Sequence, residues 1–527
     1  MSVCKSDMQK SIPLSFLDCI LSSFPIKLSY LNFALNYLII FYHISQNLSI
    51  DLYDLPQYFW NSYISIYHIN HQNANHLHMK RDYIKKILRI PANPLQFPPI
   101  CSIIIIYPII LKEYLKTMSE RTYPVVTVDD RCESRIRAGH VWVYESDVTA
   151  DTKPADGVIC DVVSRRGRYL GTGFYNSASK IRVRILSTNA NDTFDEAFWE
   201  RRVRYAIEYR RTVMRSPEDF LCCRLIFGEA DQFPGLTVDR MGDVLVTETL
   251  SLGIEQRKHI IFPAIVRVLA EMGVPVRALY ERNDVAIRKL EGMEENTGFY
   301  TCEGLEPDPA ITETEICENG IYYYVDFMHG QKTGFFLDQK YNRLAAARLA
   351  KGRTVLDCFT HTGSFALNAA KAGAKHVDAV DISADAIAMT RRNAERNGLA
   401  GSMDFICADV FAYLDELNAK KQRKYDMIIL DPPAFTKSAG TVKNAYGGYR
   451  EINRKALQLL PRGGYFATAS CSHFMPSDLF CRMLREAAYD ARISLRQIEA
   501  RQQAPDHPIL WNVPETDYLK FYLFQVI

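Results

Sequence analysis

Four aspartates stand at or near the ends of predicted strands in the last third of the chain: Asp357, Asp381, Asp409 and Asp431. Ligands of a parallel sheet bind beyond the carboxyl ends of its strands, so carboxylates at this edge can accept hydrogen bonds from a ligand. Asp381 follows Gly363 by 18 residues, a spacing at which an acidic residue binds the ribose hydroxyls of a nucleotide. Asp409 would then accept from an adenine amine. Taken singly, each aspartate is also typical of a helix N-cap or a loop.

The elements that would position these aspartates alternate between strand and helix from residue 353 onward. Such alternation indicates an α/β fold in which crossover helices join the strands of a parallel sheet. The predicted strands are 354–359, 376–381, 403–409, 425–431 and 464–469. The turn after the first strand offers only Gly363 instead of a full G-x-G-x-x-G fingerprint. This favours a single adenosine moiety over a dinucleotide.

Four runs at these strand ends resemble the motifs of class I S-adenosylmethionine-dependent methyltransferases. They are Asp-Cys-Phe-Thr-His-Thr-Gly-Ser-Phe, Val-Asp-Ile-Ser, Asp-Pro-Pro-Ala-Phe-Thr-Lys and Ser-Cys-Ser-His-Phe. More narrowly, residues from about 120 to 527 resemble the ribosomal RNA large subunit methyltransferase I family. Further matching segments are 283–284 with 288–292, 331–340 with Arg343, and 514–520. The Gln-Lys-Thr-Gly-Phe-Phe-Leu-Asp and Asp-Pro-Pro-Ala-Phe runs are specific in combination, whereas Asp-Pro-Pro alone is not.

The resemblance implies a Rossmann-like catalytic domain that follows an N-terminal small β-barrel (PUA-like) domain and a central α/β domain. It implies S-adenosyl-L-methionine as cofactor, no metal, and the 23S RNA of the large ribosomal subunit as partner, in which the family makes 5-methylcytosine. The cofactor-binding residues expected on this basis are Phe336, Gln339, Asp357, Phe359, Thr362, Gly363, Asp381, Asp409 and Asp431.

Two chemistries compete for the atom that receives the methyl group. C5 of cytosine becomes nucleophilic only after a thiolate adds to C6, which is covalent catalysis of the kind that cysteine performs. We expect Cys471 to be this nucleophile, Asp431 to bind the ring at N3 or N4, and Phe435 to stack on the base. Alternatively, the Asp-Pro-Pro loop methylates a base nitrogen without a nucleophile and Cys471 is a buried structural residue. A non-catalytic RNA-binding protein is a third hypothesis.

Short β-branched runs between residues 123 and 187 predict a small barrel or sandwich. Arginines interleave with aromatic residues along it, a combination that suits RNA because guanidinium groups bind phosphates and rings stack on unpaired bases. The expected RNA-binding residues are Arg135, Arg137, Trp142, Arg165, Arg166 and Arg168. The alternative is an ordinary solvated strand face.

Composition divides the 527-residue chain near Met118. All 26 glycines follow residue 117, and the preceding segment carries 10 Lys+Arg against 6 Asp+Glu, which leaves 53 against 55 for the rest. RNA affinity must therefore come from local basic patches. We expect 1–117 to be a non-domain extension, a translated upstream region, unless it is an extension with membrane or partner affinity. The predicted domains are 118–192 (PUA-like), 193–320 (central α/β) and 321–527 (methyltransferase).

Cysteine usage and hydropathy bear on the compartment. The 13 cysteines include no C-x-x-C pair, a pattern typical of reduced thiols rather than of a zinc site or a disulfide framework. We therefore expect a cytoplasmic protein whose body after residue 117 does not enter a membrane. The sequence leaves open whether the protein forms a homo-oligomer. The overall composition excludes a small disulfide scaffold, a collagen-like chain and a mostly disordered chain.

Overall fold

The computed structural model describes residues 121–421, 423–436 and 438–527. These residues form four β-sheets, and the first sheet has six strands. These are β1 (Val125–Val128), β2 (Trp142–Tyr144), β3 (Val148–Asp151), β4 (Ile159–Ser164), β5 (Tyr169–Tyr175) and β6 (Ile181–Ser187). Their order is β2-β6-β5-β4-β1-β3, antiparallel except for the β1–β4 pair. Helix α1 (Asp130–Arg137) lies between β1 and β2 in the chain and begins at the N-cap Asp129. Residues 1–120 lie outside the described residues, and so do the expectations for 1–117.

A mixed α/β layer follows. Its elements are α2 (Glu196–Val213), β7 (Cys222–Phe227), β8 (Leu236–Met241), β9 (Val244–Thr249), α3 (Leu252–Glu255), α4 (Lys258–Glu271), β10 (Ala278–Asn283) and β11 (Asn296–Tyr300). The strands lie in the order β11-β10-β9-β8-β7, and only β9 and β10 are parallel. A separate hairpin, β12 (Glu313–Glu318) with β13 (Ile321–Asp326), comes next. The buried side chains of α2 and α4 form one core with those of the five-stranded sheet.

The last third forms a seven-stranded sheet. Its elements are α5 (Lys340–Ala347), β14 (Thr354–Cys358), α6 (Ser364–Lys371), β15 (His376–Asp381), α7 (Ala384–Arg396), β16 (Met403–Cys407), α8 (Val410–Ala419), β17 (Met427–Leu430), α9 (Val442–Leu459), β18 (Tyr465–Ser470), α10 (Ser477–Ala491), β19 (Leu495–Arg501) and β20 (Lys520–Val526). The order is β16-β15-β14-β17-β18-β20-β19. The first five strands are parallel, and β20 is antiparallel to both neighbours. The strand order reverses beside β14, where sheets of this type bind ligands.

The predicted α/β alternation is confirmed, and its deviations have local causes. The central strand β17 is a continuous apolar run with every residue fully buried, as expected for a parallel strand covered on both faces. The predicted third strand ends at Cys407 instead of Asp409, because the Asp409 side chain caps α8. Helix α1 was not predicted, and Arg135 and Arg137 lie on it rather than in a turn.

The predicted domain boundaries stay predictions. The first, at residue 192, falls between β6 and α2. The second, at residue 320, falls in the turn of the β12–β13 hairpin, whose two strands pair with each other. Within the part of the chain that the structure describes, no helix combines the length and the apolar character needed to cross a bilayer.

A buried ion pair joins this hairpin to α5, which precedes the seven-stranded sheet. Arg343 of α5 donates to Glu318 Oε1 at 2.6 Å and to the carbonyl of Phe336, and both charged side chains are buried. Removing one partner of a buried pair leaves an uncompensated charge away from water. The pair therefore fixes the segment that leads from β13 into α5.

We expect Glu318→Ala to destabilise the protein by about 3–5 kcal/mol, because the Arg343 guanidinium would remain buried without its carboxylate. Glu313→Ala is the matched control on the same strand, since Glu313 pairs with Arg392 at the exposed surface; its cost should stay below about 1 kcal/mol. Urea unfolding followed by circular dichroism measures both. Equal costs for the two variants would contradict the assigned role of the buried pair.

Candidate active site

The loop between β14 and α6 is held by the carboxyl group of Asp357. Its Oδ2 accepts from the hydroxyl of Thr360 at 2.6 Å and from the N–H of Ala366 at 2.9 Å. Burial raises the pKa of Asp357 to about 7, against the opposing effect of these two hydrogen bonds. Phe359 and His361 both have positive φ angles, 63° and 51°, which are uncommon for residues other than glycine. The loop is thus a tight, unusual turn at the switch point of the sheet.

Gly363 allows this loop to lie against α7. Its φ is 86°, and a Cβ at this position would stand 2.6 Å from Cγ2 of Thr390. The Thr390 hydroxyl donates to the carbonyl of His361 at 2.9 Å, and this hydrogen bond also holds the loop against α7. A side chain at residue 363 would therefore meet both backbone strain and a clash.

Asp381 and Asp409 already hold backbone groups. Asp381 accepts from the N–H of His361 at 2.9 Å and of Ser383 at 3.0 Å, one with each carboxylate oxygen. Asp409 accepts from the N–H of Ala412 at 2.9 Å, which makes it the N-cap of α8. A carboxylate oxygen accepts more than one hydrogen bond, so both groups retain acceptor capacity. Their roles toward ribose and adenine stay predictions.

Gln339 lies against Asp431. Its Nε2 donates to Asp431 Oδ1 at 3.0 Å, while its Oε1 accepts from Nδ2 of Asn342 at 2.6 Å. Both ends of the amide are thereby engaged within the protein, so the structure gives Gln339 a positioning contact with a proposed catalytic group. Phe336, from the same segment, packs its ring edge-to-face with His361 at 5.1 Å, beside the β14–α6 loop.

Asp431 follows β17 and is the first residue of the Asp-Pro-Pro-Ala-Phe loop. Burial, together with the nearby carboxylate of Asp338, raises the pKa of Asp431 to about 7. The carboxyl group can therefore carry a proton near neutral pH. At the end of the loop, Phe435 packs its ring 4.5 Å from that of Tyr449 and is half-buried.

Cys471 directly follows β18, and its turn is tied to the neighbouring loop. The hydroxyl of Ser472 donates to the carbonyl of Thr436 at 3.0 Å. Burial raises the pKa of the Cys471 thiol to about 11, and the Asp431 carboxylate adds to this increase. The turn of Cys471 thus lies against the loop that begins at Asp431, and burial shifts the thiol toward its protonated form.

Lys520, the first residue of β20, lies opposite Ser470 across the sheet. Its side chain is 4% exposed, and Nζ donates to the carbonyls of Ser472 at 2.6 Å and Tyr518 at 2.8 Å. Burial lowers the pKa of Lys520 to about 8, although Cys471 opposes this change. We assigned no role to Lys520 from sequence, and its place in the 514–520 segment of the resemblance was the only available signal.

Two buried polar atoms, Asp357 Oδ1 near the end of β14 and Thr362 Oγ1 in the following loop, make no hydrogen bond with any described residue. Buried polar groups in native proteins are normally satisfied, so unpaired atoms at this loop fit a polar ligand. Gly363 also keeps the turn free of a side chain. The residues present therefore fit an adenosine-type cofactor bound beside β14, with Asp357 and Thr362 facing its polar groups.

The expected RNA-binding residues divide into two groups. Arg135 pairs with Asp147, Arg137 with Glu133, and the indole N–H of Trp142 donates to Glu229 at 2.9 Å. The other three arginines, Arg165, Arg166 and Arg168, are exposed around the β4–β5 turn. Arg165 and Arg166 are available to a ligand, Arg168 lies 3.8 Å from Glu133, and Arg135 and Trp142 already have partners within the fold. RNA binding by all six stays a prediction.

The expectation that no metal takes part is not tested. Among the described residues, His376, Asp378 and Asp404 bring ligand atoms within 4.8 Å of one another. They lie near the amino ends of β15 and β16, at the opposite edge of the sheet from Cys471. Asp378 is already bound by Nζ of Lys424 at 2.6 Å, which neutralises its charge.

The strand order and the Gly363 turn are typical of a Rossmann-like nucleotide-binding fold. The similarity to known proteins defines the class as S-adenosylmethionine-dependent methyltransferases. Residues 288–525 match the family of S-adenosylmethionine-dependent methyltransferases, and residues 126–188 match the PUA-like domain family. Among solved structures, “A putative sam-dependent methyltransferase from Streptococcus mutans” aligns with a TM-score of 0.64, 22% identity, and coverage of 76% of this chain and 100% of that chain. A methyltransferase complexed with SAH aligns with a TM-score of 0.65, 22% identity and the same coverage.

Relatives found by sequence similarity define the family more narrowly than the solved structures do. The protein named Ribosomal RNA large subunit methyltransferase I from Shigella dysenteriae is 38% identical over 397 residues, which cover 75% of this chain and 97% of the relative. The protein of the same name from Aeromonas salmonicida is 39% identical over 398 residues, with the same coverage. The chain belongs to the ribosomal RNA large subunit methyltransferase I family.

We expect Gly363→Ala to cost about 1–2 kcal/mol for the left-handed backbone and about 1–3 kcal/mol more for overpacking against Thr390. S-adenosylmethionine affinity should fall with it. Gly352→Ala is the matched control, since Gly352 has a φ of 71° but open space around its Cβ; it should show the strain cost alone. Thermal unfolding and calorimetric titration of the cofactor measure these effects.

Adding Thr390→Ser to Gly363→Ala should recover the part of the stability that overpacking removes. Serine keeps the hydroxyl that binds His361 and lacks the clashing methyl group. No recovery in the double variant would show that the close approach to α7 is not what the glycine provides.

Proposed function

We propose that this protein transfers a methyl group from S-adenosylmethionine to C5 of a cytosine in large-subunit ribosomal RNA, with Cys471 as the nucleophile. The observation that carries the proposal is that the turn of Cys471 is hydrogen-bonded both to the loop that begins at Asp431 and to Lys520. Membership of the family and the printed names of its relatives support ribosomal RNA as the substrate class.

The three groups match the requirements of C5 methylation. The Cys471 sulfur adds to C6 of the base, which moves electron density to C5 and to N3. Asp431 donates its proton to N3, a role that a carboxyl group with a pKa of about 7 can perform. Bound S-adenosylmethionine supplies the electrophilic methyl group that C5 then takes. The C5 proton leaves to a base and finally to water, N3 returns its proton to Asp431, and the C6–sulfur bond breaks.

The raised pKa of Cys471 means that the thiol needs a proton acceptor. A neutral Lys520 amine has two N–H groups, which its two carbonyl partners would occupy, and one lone pair that remains available. Burial already lowers the pKa of Lys520 to about 8, which makes the neutral amine accessible. We therefore assign Lys520 the role of accepting the Cys471 proton when the base is bound.

The six-stranded sheet would hold the RNA through the exposed arginines of its β4–β5 turn. We propose 118–192 as the RNA-binding domain, 193–320 as the central domain and 321–527 as the catalytic domain. The PUA-like match over residues 126–188 supports the assignment of the RNA-binding domain.

The ten cysteines of the described residues are all free thiols, which supports a reducing, cytoplasmic compartment.

RNA transcripts that contain 5-fluorocytosine test the nucleophile. Fluorine replaces the C5 proton and blocks elimination, so the wild type should form a covalent RNA adduct visible on a denaturing gel. Cys471→Ala should form none and should lose methyl transfer. Cys481→Ala, on α10, is the control and should behave like the wild type.

Mass mapping of the modified nucleotide completes this test by giving the base and the atom. Full activity of Cys471→Ala together with a methylated base nitrogen would overturn the covalent mechanism. It would favour nitrogen methylation by the Asp431–Phe435 loop, for which Asp431→Ala would be inactive.

The role of Lys520 predicts a pH effect with a defined sign. The acceptor must be neutral and Asp431 must carry its proton, so kcat/KM of the wild type should be greatest between about pH 7 and pH 8 and should fall on either side of this range. Lys520→Gln keeps two N–H donors for the carbonyls but has no basic lone pair. It should lose about 100-fold or more in kcat, and the fall in kcat/KM above pH 8 should move to higher pH, because the thiolate of Cys471 then forms only as the thiol itself titrates.

The control is the S-adenosylmethionine affinity of Lys520→Gln, which should equal that of the wild type. An unchanged pH profile in this variant would assign Lys520 to holding the turn alone.

A further inference from the structure

Trp511 is the most exposed large hydrophobic side chain among the described residues, with 92% of its surface accessible. Its backbone is nevertheless well ordered by hydrogen bonds. The N–H of Val513 donates to the carbonyl of Leu510 at 2.8 Å, and the Thr516 hydroxyl accepts from the N–H of Leu510 at 2.9 Å. A rigid turn therefore presents a whole indole to solvent, an arrangement that leaves a large apolar surface unburied.

The indole stands at a cavity of about 370 Å³ beside the proposed nucleophile. Lys520 and His473 both line this cavity. Lys520 also binds the carbonyl of Ser472, and His473 is two residues beyond Cys471. Such a volume lies within the usual range for small-ligand sites. The cavity is thus next to the site at which the target base would react.

The cavity wall contains an unpaired acceptor. Asp517 lines the cavity, its Oδ2 accepts from Nε2 of Gln502 at 3.2 Å, and its buried Oδ1 makes no hydrogen bond with any described residue. A buried acceptor without a donor is costly, so a bound group that donates an N–H would be stabilised here. Nucleobases combine such an edge donor with a flat face that stacks on an aromatic ring.

The same turn reaches the six-stranded sheet. A Cβ on Gly139 would come within 2.4 Å of the Asn512 side chain, and His140 lies 3.9 Å from Glu515. The turn therefore runs from the sheet proposed to hold RNA to the cavity beside Cys471. The indole therefore lies between a contact with the first domain and the cavity beside Cys471.

We propose that Trp511 and Asp517 form a subsite for an unpaired nucleotide adjacent to the target cytosine. The base stacks on the indole and donates an N–H to the Asp517 carboxylate. An enzyme that extrudes one base from a stack leaves its neighbour without a stacking partner, and the indole would replace that partner. This subsite rests on the proposed function, since it presumes RNA at Cys471.

The test measures RNA binding apart from chemistry. The Kd of a protein-free fragment of large-subunit ribosomal RNA, followed by anisotropy, should rise about 5- to 100-fold in Trp511→Ala. Trp511→Phe keeps a stacking ring and should stay within about threefold of the wild type. Tyr489→Ala is the control, because Tyr489 is an aromatic side chain that is 83% exposed but lies outside the cavity lining. Its Kd for the RNA should equal that of the wild type. Cofactor affinity should be equal in all variants.

An abasic substitution next to the target nucleotide identifies the occupant. The abasic RNA should bind the wild type more weakly than the intact RNA does. Trp511→Ala should bind both RNAs with the same Kd, because this variant lacks the indole on which the base stacks. An unchanged Kd in Trp511→Ala would overturn the subsite, and so would a change in self-association by sedimentation without a change in RNA affinity. If the wild type neither binds nor methylates this RNA, the proposed function itself fails. If the wild type methylates the RNA and Trp511→Ala leaves the Kd unchanged, only the subsite is overturned.

Discussion

Two adjacent buried cations, Lys340 and Arg343, hold the catalytic half of the protein in place. Lys340 donates to the carbonyls of Asp219 and Cys222 beside the five-stranded sheet, while Arg343 pairs with Glu318 of the hairpin. Buried charges persist only where partners satisfy them, so the position of this helical turn is strongly constrained. Gln339 immediately precedes it and binds Asp431. The placement of the Asp431 carboxyl group therefore depends on how this helical turn is held by the five-stranded sheet and the hairpin.

Burial acts in one direction on the ionisable groups of the site. It raises the pKa of Asp431 and Cys471 and lowers that of Lys520, so each group is shifted toward its uncharged form. A site of neutral groups can accept an uncharged base without a large desolvation cost for ions. Reaction then requires proton transfer within the site, and donors and acceptors with pKa values near the working pH are suited to it.

The sequence allowed the α/β alternation and the strand-end acids to be predicted because both depend on local patterns. β15 has the predicted bounds, since its valines and alanine end at Asp381, directly before the residues that begin α7. Asp409 shows the limit, because a carboxylate after a strand is equally suited to a ligand and to a helix N-terminus. The direction of the Gln339 side chain and the burial of Lys520 come from contacts across more than 45 residues of sequence. Spacing alone does not reveal such contacts.

The strand β20 follows every other described element in the chain, yet it lies inside the sheet between β18 and β19. Because it runs antiparallel, its first residue, Lys520, reaches the edge that carries Cys471. A nascent chain that lacks this strand has an incomplete sheet and an unsupported cysteine turn. The site is therefore assembled only when β20 has been synthesised and inserted, so truncated translation products would not act on RNA.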